Sequence, residues 1–124
     1  MEEKRIPYAT WTVGDEEYRL KLTTSAITKL EEKYKTNLLN LVMNGNMPPL
    51  GVMLDITHGA MQKFHHGVKL DDVRNMFDDY CDNGGSQMAF MTNVLLPIFN
   101  CSGFFSKAQA DQMETNLQDA QELL

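Results

Sequence analysis

WTVGDEEYRLKLTTSAITKLEEKYKTNLLNLVM, residues Trp11–Met43, decides the fold. Thr10, Thr12 and Tyr18 alternate with Trp11, Val13, Arg19 and Leu20 around Gly14-Asp15-Glu16. β-Branched and aromatic residues on either side of a Gly-Asp pair signal a β-hairpin. Leu20 and Leu22 share one face and Arg19 and Lys21 the other, the period of a half-exposed strand. Thr23, Thr24 and Ser25 are three consecutive N-cap candidates, none with Glu or Gln three places on. A helix is predicted from about Ser25 to Lys35, with Ile27, Leu30 and Tyr34 on its apolar face. Glu31 and Glu32 are expected in solvent, with Glu31 reaching Lys35. A lone two-stranded hairpin is marginal in water, so this one must lie on the helices or pair with another chain.

Outward from that unit, the hairpin spans 7–22 and a helical body spans 24–105, together one globular domain, 1–105. Residues 1–6 are polar and expected to fray. Asn37 caps a short helix, Leu38 to Met43, which Asn44-Gly45-Asn46 breaks. Pro48-Pro49 opens a helix to about Phe64, with Leu50, Met53, Leu54, Thr57, Ala60, Met61 and Phe64 on one face. Gly51 and Gly59 inside it suggest close helix packing. Asp71 is the expected cap of a fourth helix carrying Val73, Met76, Phe77 and Tyr80, stopped by Asn83-Gly84-Gly85. Ser86 caps the most apolar helix, Gln87 to about Asn100, in which Met88, Met91, Thr92, Leu95 and Phe99 form one stripe. Pro97 inside that helix predicts a kink or an early end. The polar segment 106–124 places Ala110, Met113, Leu117, Ala120 and Leu124 at coiled-coil spacing, a C-terminal helical tail that packs on its own domain or orders on a partner. The fold class is α+β, mostly α: an N-terminal hairpin on a bundle of about five helices, plus the tail.

Residues 1–35 carry seven Lys/Arg and seven Asp/Glu, so the net charge of −6 belongs to the helical body. An acidic body repels phosphate, which argues against nucleic acid as a partner. No apolar run approaches the ~20 residues of a membrane span, and the charged start is unlike a signal peptide. The expectation is a soluble cytoplasmic chain whose Cys81 and Cys101 are reduced core thiols.

The residues that could carry chemistry do not form a recognisable site. His58 and His65 stand seven apart rather than four, against a zinc site on one helix. Asp79-Asp82-Asn83-Gly84 lacks oxygen ligands where a calcium loop needs them, at Cys81 and Phe90. Gly84-Gly85-Ser86 has neither the lysine nor the spacing of a phosphate loop. The reading is a non-enzyme with no cofactor and no metal. Nine methionines are many for 124 residues. Methionine fills irregular cores, and it also suits adaptable binding grooves.

The run YRLKLTTSAITKLEEKYKTNLLNLV, Tyr18–Val42, followed by a helical body with the late apolar segment MAFMTNVLLPIFNCSGFF, Met88–Phe105, resembles the tail assembly chaperones of long-tailed (siphovirus-type) bacteriophages of Gram-positive hosts. The likeness lies in the order of caps and apolar positions over most of the chain. It implies a protein made in the host cytoplasm that coats the tape-measure protein, keeps it soluble, helps recruit tail-tube subunits and is absent from the mature virion. It implies no catalytic residues. The expected partner-binding residues are Met88, Met91, Leu95, Phe99, Phe104, Phe105, Met113, Leu117 and Leu124, with self-association through the hairpin edge. Competing readings are a head–tail joining or tail-terminator protein, a small metal-dependent enzyme using His58, His65 and Asp71/Asp72, and a regulatory binding protein.

Overall fold

The structure is a computed structural model in which residues 7–43, 47–106 and 109 are described. Strands β1 (Ala9–Val13) and β2 (Glu16–Leu20) pair antiparallel, with Trp11 opposite Tyr18 and Val13 opposite Glu16. That register leaves a two-residue loop, Gly14-Asp15, and Gly14 takes the positive φ of 61° that a tight hairpin needs. Helices α1 (Thr24–Tyr34), α2 (Leu38–Val42), α3 (Leu50–Met61) and α4 (Leu70–Asp82) follow. α5 (Gln87–Phe90) then continues through a π-helical run, Met91–Leu95, into α6 (Leu96–Cys101). The α+β, mostly α architecture expected from the sequence is the architecture observed.

The hairpin lies on the helices. Ala9, Trp11 and Val13 face inward while Thr10 and Thr12 stay exposed. Trp11 meets the edges of Phe90 and Tyr80, at centroid separations of 5.0 and 5.9 Å, and Phe77 closes on Phe90 at 5.2 Å. Edge-to-face pairs of this kind add about 0.5–1.5 kcal/mol each beyond the area they bury. The chain leaving β2 is tied by polar bonds: the Lys21 N–H donates to the Ala60 carbonyl at 2.9 Å, and the Leu22 N–H to Ser102 Oγ at 3.0 Å. The Arg19 N–H donates to His65 Nε2 at 3.1 Å.

Local chemistry sets most helix starts. Thr23 Oγ1, one of the three candidates, accepts from the Ala26 N–H, while Asn37 Oδ1 accepts from the Asn40 N–H and Ser86 Oγ from the Ala89 N–H, the caps expected there. The fourth helix departs from expectation. It begins at Leu70 after Lys69, and Asp72 rather than Asp71 does the capping by accepting the Lys69 N–H at 2.9 Å. Glu31 is not a solvent residue reaching Lys35. Its carboxylate accepts the Leu38 N–H at 2.9 Å and so joins the end of α1 to the start of α2. A first-turn N–H otherwise lacks a partner, and a carboxylate there also meets the positive end of the helix.

α3 is the central helix. It is shorter than expected, ending at Met61, and is buried more widely: Val52 and Ile56 join Met53, Leu54, Thr57, Ala60 and Met61 in the interior. Of its two glycines, only Gly59 meets a neighbour. A Cβ there would stand 3.4 Å from Leu30 Cδ1, whereas one on Gly51 would meet nothing.

Candidate partner-docking groove

Three large apolar side chains remain exposed among the described residues, and all are methionines: Met43 at 43%, Met47 at 42% and Met88 at 72%. With Val42, Met91, Thr92 and Leu96 they line one open groove of about 440 Å³. One wall is the end of α2 and the residue leading into α3. The other is α5, the π-helical run and the first residue of α6.

Each wall stands on buried residues. α2 is held by the Asn37 cap and by Glu31, and its Leu38 and Val42 sink into the core. That anchoring leaves Met43, just past the helix end, directed outward. Pro48 is buried beside Met47, and the Pro49 carbonyl accepts from the N–H groups of Val52 and Met53. On the second wall Phe90, Val94 and Leu95 are interior. The frame is packed, and the side chains at its lip are the flexible ones. Among the described residues of the lining Thr92 is the sole polar one, and none is charged. A neutral, thioether-rich concavity takes apolar side chains of varied shape and removes them from water.

The π-helical run decides which residues reach this groove. The Leu96 N–H donates to the Met91 carbonyl, five residues back instead of four. The wider turn inserts one residue into the helical rotation. Leu96 therefore follows Met91 along the groove wall, while Leu95 turns into the core. Pro97 lies just beyond, so the irregularity it predicts takes the form of a π-helical run preceding it, where the absent N–H and the ring are accommodated.

The expected binding residues separate accordingly. Met88 and Met91 line the groove. Leu95 and Phe99 do not reach the groove: they are core residues, 0% and 1% exposed. Phe104 and Phe105 are half-buried past the other end of α6, where Phe104 packs against Phe99 at a centroid distance of 4.5 Å. Met113, Leu117 and Leu124 lie outside the described residues, as do the Asn44-Gly45-Asn46 break and residues 1–6. Val42, Met43, Met47, Thr92 and Leu96 also line the groove and were not among the expected residues. A signal existed for two of them, since Met43 and Met47 flank a polar break rather than sit inside a helix.

A second concavity of about 500 Å³ runs beside α1 and α3, lined by residues that include Lys29, Lys33, Asp55, His58 and Gln62. Much of its polar lining serves the fold. Lys33 Nζ pairs with Asp55 at 2.6 Å, His58 Nε2 lies 3.1 Å from the Val68 carbonyl, and Gln62 Nε2 donates to the His58 and Val68 carbonyls. His65 accepts from β2, and His66 Nδ1 bonds the Gln62 carbonyl at 2.9 Å. Among the described residues no group of three His, Cys, Asp or Glu is placed to hold a metal ion, and no helix is long and apolar enough to cross a membrane.

Residues 6–124 match the family described as "Family of unknown function (DUF6096)". The chain belongs to that family. No curated protein and no solved structure matches it. The family's description assigns no activity or partner to its members, so the groove is the feature of this member from which a function can be argued.

Proposed function

We propose that this DUF6096 protein is a phage tail assembly chaperone that binds the tape-measure protein, keeps it soluble before tail-tube subunits enclose it, and helps recruit those subunits. The observation that carries this reading is the methionine-lined groove, with Met43, Met47 and Met88 exposed and no charge among the described lining residues. A tape-measure protein is a long helical chain with an apolar stripe that would aggregate if left bare. One groove of about 440 Å³ accommodates only a few apolar side chains, so a single contact is weak. Many copies spaced along one stripe hold it by multivalency. The resemblance of Tyr18–Val42 and Met88–Phe105 to tail assembly chaperones supports the same role.

The test is co-expression of the full chain with an apolar segment of the tape-measure protein from its own gene cluster. The proposal expects the segment to move from the pellet to the soluble fraction and to co-purify with the chain. A segment that stays insoluble overturns it. Mass spectrometry of purified virions separates a chaperone, which is missing from the particle, from a head–tail joining or tail-terminator protein, which remains in it.

A further inference from the structure

We infer that, among the described methionines, the groove thioethers are the ones peroxide reaches first, and that their oxidation switches the docking surface off. The switching half rests on the docking role proposed above, whereas the order of oxidation does not.

The placement of the methionines carries the inference. Met43, Met47 and Met88 have their side chains in solvent, and Met91 is half-buried in the same groove. Met53 and Met61 are 0% exposed, within the core that α3 builds. Met76 is half-buried on α4 and packs on the core instead of the groove. Reaction with a peroxide requires the sulfur to meet the oxidant, so exposure ranks the rates. In the step itself a sulfur lone pair attacks one peroxide oxygen. The S–O bond forms, the O–O bond breaks, and with hydrogen peroxide the departing hydroxide takes the remaining proton and leaves as water. Sulfur loses two electrons and the peroxide gains them.

The product has a different surface chemistry. A sulfoxide is a polar hydrogen-bond acceptor, and Thr92 is the only polar side chain among the described residues of the native lining. Burying sulfoxides against an apolar stripe would strip their hydration, with Thr92 the one side-chain donor among the described lining residues to replace it. The core is untouched by the same event, because the reactive sulfurs lie outside it. Oxidation therefore removes docking without unfolding the chain, and a thiol-dependent sulfoxide reductase restores it.

The experiment treats the full chain with dilute hydrogen peroxide and follows each described methionine by peptide mass spectrometry. Met88 should oxidise first, then Met43 and Met47, with Met53 and Met61 slower by about tenfold or more. The single tryptophan, Trp11, reports on the core, so its emission and the melting temperature should hold while Met88 is being consumed. The aromatic face of the anionic dye 8-anilinonaphthalene-1-sulfonate probes the groove: its binding should weaken by about tenfold on oxidation. A variant with Met43, Met47, Met88 and Met91 all replaced by leucine should bind dye and keep that binding under peroxide. Met53 or Met61 oxidising as fast as Met88, or a melt that collapses in step with Met88, overturns the assignment of sites. Wild-type chain that takes up no dye, or leucine-variant binding that is lost equally fast, overturns the switch. Failure of the tape-measure test with these results intact would sink the proposed partner alone.

Discussion

The Tyr34 hydroxyl at the end of α1 donates to the Asp55 carboxylate on α3, which also receives the Lys33 ammonium. Burial first, then the hydrogen bond and charge of Asp55, pushes the Tyr34 hydroxyl up to about 12 from its ordinary 10.0. Below about pH 10 the hydroxyl keeps its proton in folded and unfolded chains alike, and the bond stabilises the fold fully. Between about 10 and about 12 the unfolded tyrosine ionises while the folded one does not, so this contribution falls as pH rises and is gone above about 12. Ultraviolet titration should show a late tyrosine component that Tyr34→Phe removes. The same substitution should lower stability by about 1–2 kcal/mol near neutral pH, read from a denaturant melt followed by Trp11 emission.

Gly85 and Gly51 should respond to alanine in opposite directions. A Cβ on Gly85 would overlap the Tyr80 ring, which packs against Trp11, Phe77 and Phe90 and has little room to retreat. Gly85→Ala should cost about 1–3 kcal/mol. Gly51 lies exposed in the first turn of α3 with open space around it, and Gly51→Ala should stabilise by about 0.4–1 kcal/mol. Paired urea melts measure both signs in one experiment.

Neighbouring positions on the helical segment that follows Ser86 should separate binding from folding. Met88→Glu places a charge in an exposed groove position, so melting should change little while rescue of the tape-measure segment is lost. Leu95→Ala leaves a cavity in the core and should cost about 2–5 kcal/mol. Equal destabilisation by the two variants would contradict the way the π-helical run divides these residues.

The two thiols should label in order. Cys101 is 3% exposed, its Sγ lies 3.6 Å from the Leu20 carbonyl, and burial pushes its thiol up from the usual range. Cys81 is only half-buried. A chromogenic disulfide reagent at pH 8 should modify Cys81 in the folded chain and reach Cys101 only as the chain opens. Comparable rates for both thiols would place Cys101 in a looser setting than the hairpin contact allows.

Features governed by adjacent residues were legible without coordinates. The Gly14-Asp15 loop, the alternation of Trp11 and Val13 with Thr10 and Thr12, and the caps at Thr23, Asn37 and Ser86 each depend on a few neighbouring side chains. The candidate site was half legible: Met88 and Met91 were singled out, but α2 and the residue before Pro48 were not expected to face them. A spacing of 3.6 residues puts Leu95 and Phe99 on the stripe of Met88 and Met91, whereas the π-helical turn holds one residue more and carries both into the core.

What the sequence determined by itself is the order and type of the elements, because caps, turns and apolar periods act within a few residues. Tertiary structure decided the assignments that hang on distant partners. Glu31 caps α2 only because α1 delivers it to the Leu38 N–H, and His65 serves β2 only because the turn after α3 lies beside it. Leu96, rather than Leu95, joins Met43 and Met47 at the groove because the π-helical turn rotates the chain at that point. Such choices compare the packing energy of whole arrangements, and a linear pattern of apolar residues holds no record of which helix faces which.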